Sequence, residues 1–306
     1  MWKMRLADIF YQYDFFQLWR PDVFLLVFLV GTVYALLTGT YWNKVAGKAD
    51  PVTKGRKISF YSGLLLFYLL HGTPVHIIGY DYLFSVHMSQ MALTYMVVIP
   101  LIIVGVPSQL WSKLLERKGI APIWSVLTQP IFAVVCFNLF LSLYHIPVIF
   151  EYVMENPLVH WVYHYFLCFA AVLLWWPIIN PIKGDQQLGF LKKFAYLIAG
   201  SLLITPVCAL VIFAQKVIYD TYVDVPRLFS SLTLLDDQQL GAVIMKLVQE
   251  AAYGTALIIL FFSWLREEKQ STSVDPIDPE EMDEGKDQTY HPQPKMNKPS
   301  TEHGSS

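Results

Sequence analysis

The sequence predicts an all-α protein: a polytopic membrane helix bundle of seven transmembrane helices, with its N-terminus outside and a disordered cytoplasmic C-terminal tail. Three observations carry this. Of 306 residues, 55% are hydrophobic and 15% charged, whereas a soluble domain carries about 25% charged residues. Mean hydropathy is +0.43. The apolar residues fall in separated runs within residues 1–265, and residues 266–306 hold almost none. A net charge of −2 lacks the basic surface that a nucleic-acid binder needs. Three cysteines without a CxxC pair exclude a disulfide framework and a thiolate zinc site.

A membrane helix needs about 20 mostly apolar residues, because each residue rises about 1.5 Å through a hydrocarbon core about 30 Å thick. Seven stretches qualify: Val23–Tyr41, Ile58–His71, Leu83–Val106, Ile123–His145, Leu158–Ile179, Phe190–Gln215 and Gln239–Leu265. The second is short and is expected to continue through Gly72-Thr73-Pro74 towards His76. Prolines 21, 51, 107, 122, 147, 157 and 181 punctuate the boundaries. The first run starts too far in, and runs too long, for a cleaved signal peptide, so it reads as a retained span.

Orientation follows from Lys and Arg in the short loops. The 1–2 loop holds five, the 3–4 loop three and the 5–6 loop three (Lys183, Lys192, Lys193). The opposite side holds five in all: three before the first span and Lys216 and Arg227 in the 6–7 loop. Cytoplasmic loops attract the positive charge, so the N-terminus is expected outside and the C-terminus inside. Trp175 and Trp176 then fall at the inner interface, as members of an aromatic belt. The tail from Arg266, rich in Asp, Glu, Pro and Lys, cannot bury enough apolar surface to offset its ordering entropy.

With this topology, His71, His76, His87, His145, His160 and His164 all fall at outward helix ends. Ionisable groups near a bilayer are costly and usually face a bundle interior. His160 and His164 are four apart and share a helix face, as do His87 and Met91. Met88 and Gln90 neighbour them, and Met245 lies one to two turns past Asp236-Asp237-Gln238-Gln239. Imidazole with thioether suits copper; zinc gains nothing from a thioether. The same histidines can simply anchor helix ends, and Met on a membrane helix is ordinary packing. His71 and His76 are five apart, which does not align them on one face. Lys246 and Glu250 are the one pair of opposite charges well inside a span, expected to pair with each other or to face a water-filled cleft, with a proton or ion relay as the alternative. Cys136 and Cys168 read as small apolar filler.

Ser85-Val86-His87-Met88-Ser89-Gln90-Met91, running on to Pro100 and Gly105-Val106-Pro107, resembles the third-helix signature of the CtaG-type cytochrome c oxidase assembly factors. Tyr144-His145-Ile146-Pro147 is similar to that family's aromatic-His-aliphatic-Pro step. Asn156-Pro157-Leu158 with His160, His164 and Trp175-Trp176-Pro177 is similar to its fifth-helix block. Asp237-Gln238-Gln239-Leu240-Gly241 with Ile244-Met245 is similar to the opening of its last helix. The resemblance covers roughly residues 20–265. One departure is Met91, where many members carry a second His.

The resemblance implies a cell-membrane protein that is not an enzyme and is needed to build an active haem-copper oxidase, at its copper-loading step. On that basis copper is the expected cargo, held by His87, His145, His160 and His164 with Met91, Met88 and Met245 as soft ligands. The expected partners are cytochrome c oxidase subunits, foremost the CuA domain of subunit II, a copper donor protein and the lipid bilayer. A haem-binding membrane protein, with iron held between facing histidines, and a copper or cation permease remain the alternatives.

Overall fold

The structure, a computed structural model, describes residues 6–47, 49–115, 117–182 and 188–272. These contain helices and no β-strand. Short helices α1 (Leu6–Gln12) and α2 (Phe15–Trp19) precede α3 (Pro21–Thr38), α4 (Trp42–Ala46), α5 (Lys54–His71) and α6 (Pro74–Ile77). Then come α7 (Phe84–Leu93), α8 (Ile99–Gly105), α9 (Ser108–Leu115), α10 (Ala121–Leu127) and α11 (Pro130–Tyr144). The chain closes with α12 (Pro147–Glu155), α13 (Pro157–Ile179), α14 (Phe190–Ile212) and α15 (Leu234–Thr272). Five helices are long and apolar enough to cross a membrane, and seven spans result if each of two bent pairs counts as one.

Proline explains several starts. Pro21, Pro74, Pro130, Pro147 and Pro157 each occupy the first turn of a helix, where the missing N–H has no partner to lose and φ is already set. It also explains the bends. Gln129, ahead of Pro130, is pushed to φ −58°, ψ 132°, because the proline ring disfavours the helical region for its neighbour; α10 and α11 meet at 68°. The expected extension of the second span through Gly72-Thr73-Pro74 is present as a bent pair. α5 stops at Gly72, Thr73 caps a new helix opened by Pro74, and the chain turns by 52°. The wide π-turn Ile78–Tyr82 follows. A second π-turn, Thr94–Val98, joins α7 to α8 just ahead of Pro100, where the ring removes a helix donor and the ladder must adjust.

The described chain divides into two compact units, the first ending at Leu260. Its core gathers around α7–α8, α11 and α13, with Phe84, Met88, Met91, Tyr95, Tyr144 and Phe150 almost inaccessible. α5 and α8 approach closely because Gly105 has no side chain: a Cβ there would stand 2.6 Å from the Phe60 nitrogen. Small residues serve this purpose between membrane helices, where apolar burial against lipid does little. Aromatic hydroxyls add cross-links: Tyr34 donates to the Gly105 carbonyl at 3.0 Å and Tyr196 to the Leu174 carbonyl at 2.7 Å.

Trp175 and Trp176 correct the expected aromatic belt. Both are buried; Trp175 donates to the Tyr95 carbonyl at 2.9 Å, and Trp176 packs edge-on against Trp111 and Trp124. An indole N–H away from water needs a protein acceptor, and Tyr95 supplies it. α15 continues to Thr272, past the expected start of the tail at Arg266. The rest of that tail, 273–306, lies outside the described residues, as do Lys3, Arg5, Lys48 and Lys183 from the charge count.

Candidate functional site

The site starts at the beginning of α7. Its N-cap, Leu83, has no side chain able to accept a hydrogen bond, so the cap comes from far away. The buried Asp237 carboxylate on α15 accepts the N–H of Phe84 at 2.8 Å and of Ser85 at 3.2 Å. A carboxylate at a helix N-terminus satisfies open donors and meets the positive end of the dipole. Gln238 accepts from Ile218 N–H at 2.9 Å and donates to the Tyr219 carbonyl at 3.0 Å. Gln239 donates to the Ala214 carbonyl at 2.9 Å. The Asp-Gln-Gln run thus fastens the α14–α15 connection over α7.

That connection carries two tyrosines. Burial pushes the Tyr219 and Tyr222 phenols up, so both stay protonated. Tyr219 donates to the His145 carbonyl and Tyr222 to the Gly79 carbonyl, each at 2.9 Å.

One turn into α7, His87 is buried, and its Nε2 lies 2.7 Å from the Tyr144 hydroxyl. The same hydroxyl is 3.3 Å from His164 Nε2, and His164 Nδ1 is 2.8 Å from the Tyr95 hydroxyl. Each phenol has one hydrogen and each neutral imidazole one N–H, and the Tyr144 hydroxyl also lies 3.8 Å from the Met154 sulfur, so the chain admits three proton orders. In one, Tyr95 donates to His164, His164 to Tyr144, and Tyr144 to His87, leaving the His87 proton on Nδ1. In a second, every hydrogen bond reverses and His87 Nδ1 carries a lone pair. In a third, Tyr95 donates to His164, both histidines donate to Tyr144 and Tyr144 donates to Met154, which again leaves a lone pair on His87 Nδ1.

His160 stands one turn before His164, with ring centres 4.3 Å apart. The His87 ring centre is 5.6 Å from that of His160 and 5.5 Å from that of His164. His160 Nδ1 is buried with no hydrogen-bond partner, a cost of about 1–3 kcal/mol for an unpaired polar group. A cavity of about 30 Å3 is lined by His71, His76, His87, His160, His164 and Met91, with room for one or two water-sized occupants. Cys168 also lines it.

The structure therefore regroups the sequence candidates. His87, Met91, His160 and His164 share the cavity. His71 and His76 join them, although their five-residue spacing argued against a common face. The break at Gly72 reorients the chain between them, and their ring centres stand 6.3 Å apart; His71 Nε2 is 2.8 Å from the Thr94 hydroxyl. His145 is elsewhere: Nδ1 lies 2.7 Å from the Leu141 carbonyl and Nε2 3.3 Å from the Met88 sulfur. Met245 lines a second, smaller cavity of about 10 Å3 with Asn138 and Gln249. Tyr95 and Tyr144 were missed. Tyr95 follows His87 and Met91 at four-residue intervals, a signal that was present for one of them.

Among the described residues, no three His, Cys, Asp or Glu side chains stand as a group that could hold a metal ion. Hydrogen bonds hold His71, His87 and His164 in the cavity wall, whereas His160 Nδ1 has no such partner. Residues 32–267 match the family model described as Cytochrome c oxidase caa3 assembly factor (Caa3_CtaG). No curated protein and no solved structure matches the chain.

Proposed function

Because the chain belongs to the cytochrome c oxidase caa3 assembly factor family, we propose that its histidine-lined cavity carries a copper ion as cargo for the oxidase. The single observation behind this reading is the buried, unpartnered Nδ1 of His160, beside His87, His164 and Met91. An ion about 2 Å from one nitrogen of each of two rings sets their centres about 5–6 Å apart, close to the spacing of His87 from its two neighbours. Imidazole and thioether together favour copper, above all Cu(I). Drug-sized and cofactor-sized ligands fill pockets of roughly 300–1,000 Å3, which speaks for an ion over a haem in a cavity of about 30 Å3.

On this reading His160 binds through Nδ1, Met91 through sulfur, and His87 through Nδ1 once the Tyr144 chain takes a proton order that leaves a lone pair there. His164 stays on Tyr95 and Tyr144 as the group that holds His87 in place. An ion held by so few donors can leave by ligand exchange. The charge pattern of the loops sets the α5 end, the α7 start and the α13 start on the outer side of the cell membrane. The cavity then opens towards the CuA domain of subunit II, with a separate copper donor filling it. The protein acts by handing on an ion and turns over no substrate.

The test is metal content and oxidase output together. Purified protein loaded with Cu(I) under reducing conditions should hold copper that His160→Ala and His87→Ala lose, and cells carrying either variant should make oxidase deficient in CuA. Wild-type copper content and normal CuA in both variants would sink the proposal.

A further inference from the structure

Outside the residues that line the histidine cavity, α14 and α15 carry a polar cluster. Lys246 and Glu250 form an ion pair at 2.7 Å. Lys246 also donates to the Ser201 carbonyl at 3.0 Å and to the Thr205 hydroxyl at 2.9 Å. The Ser201 hydroxyl donates to Oε1 of Glu250 at 2.5 Å. Lys246 is therefore well supplied with acceptors. Glu250 is not equally supplied: Oε1 takes both donors, Oε2 has no partner among the described residues, and the side chain is 47% exposed.

Depth makes this unusual. Glu250 lies eleven residues past Gln239, about 16 Å at 1.5 Å per residue, which is close to the middle of a core about 30 Å thick. Glutamate is too short to reach a headgroup from there. A half-exposed carboxylate facing hydrocarbon is costly, and such groups almost always face protein or water. The surrounding face is shaped for close approach: Ala251 is exposed, and a Cβ on Gly254 would meet nothing within 4 Å. Small residues at this spacing let a second helix backbone come near.

We propose that this face of α14 and α15 docks a transmembrane helix of an oxidase subunit, one that offers a hydrogen-bond donor to Glu250 Oε2. A second copy of the chain fits less well. A two-fold axis along the membrane normal sets Lys246 against Lys246 and Glu250 against Glu250 at equal depth, which is repulsive in a medium of low dielectric. A helix from another protein bearing a hydroxyl, amide or cation has no such conflict. This docking needs only the family role in oxidase assembly and is independent of copper in the cavity.

The experiment places a photo-crosslinking residue at Ala251, and as a control at Leu65, an exposed position on α5, in full-length protein co-expressed with the oxidase. A crosslink from position 251 to a membrane subunit of the oxidase, absent from position 65 and lost on Glu250→Ala, is expected. The double change Lys246→Leu with Glu250→Leu removes both charges together and suits insertion into lipid; it should keep wild-type copper content yet lose the crosslink and lower assembled oxidase at least tenfold. A crosslink to a second copy, no protein crosslink at all, or normal assembly in the double variant would each overturn the proposal. Copper content is read in the same samples, so failure of the copper reading is seen separately.

Discussion

The Asp237 carboxylate accepts the Phe84 N–H at 2.8 Å across 153 residues of chain. The start of the last span thereby caps the helix that carries His87, so the position of a cavity residue depends on an element that never touches the cavity. Losing such a cap costs roughly 0.5–2 kcal/mol, and here the open donors are buried. Asp237→Ala should lower the thermal midpoint and loosen α7, seen as faster amide exchange at Phe84 and Ser85. Unchanged exchange there would show the cap to be idle.

Tyr144 bridges His87 and His164 through one hydroxyl. Groups that orient a metal-binding histidine typically contribute 10–100-fold in metal affinity. Tyr144→Phe should weaken Cu(I) binding by about that factor in a chelator competition, with little change in volume. A wild-type affinity would mean that His87 needs no outer partner.

His145 and Met88 pair with each other at 3.3 Å, apart from the cavity. His145→Ala should therefore cost stability, by about 1–3 kcal/mol through the lost partner of buried groups, while bound copper stays at the wild-type level. The same expectation holds for Met245→Leu, with a smaller stability change. Elemental analysis of both variants beside His160→Ala decides whether the cavity or the wider seven-residue set holds the ion.

Gly105 sits where a Cβ would lie 2.6 Å from Phe60 backbone. Backbone cannot rotate aside, so Gly105→Ala must push α8 from α5, a strain of about 1–3 kcal/mol in a packed core. A lower midpoint in thermal unfolding is expected, whereas Gly254→Ala, with open space around it, should leave the midpoint where it is.

The regrouping of the histidines shows what was legible and what was not. His160 and His164 belong together because a helix repeats every 3.6 residues, and that can be read from spacing. His71 and His76 could not be assigned from spacing, since the 52° turn between their helices depends on how Gly72, Thr73 and Pro74 divide the segment. His145 looked equivalent to His87 by its place at a helix end. Its ring is engaged instead by Leu141 and Met88, a choice made by rotamer and packing. Trp175 and Trp176 had the composition of an interfacial belt, yet Tyr95, Trp111 and Trp124 draw them inside.

The sequence by itself determined the all-helical membrane architecture, because apolar run length is a local property set against the thickness of lipid. Its proline positions likewise determined where several helices begin, since the ring acts on its own residue and its neighbour. Only the tertiary structure decided which polar side chains meet. Asp237 with the Phe84 backbone N–H, Tyr144 with His87 and His164, and Glu250 with Ser201 are partners remote in the chain. Their partnership rests on helix rotation and depth, and no one-dimensional pattern carries those two variables.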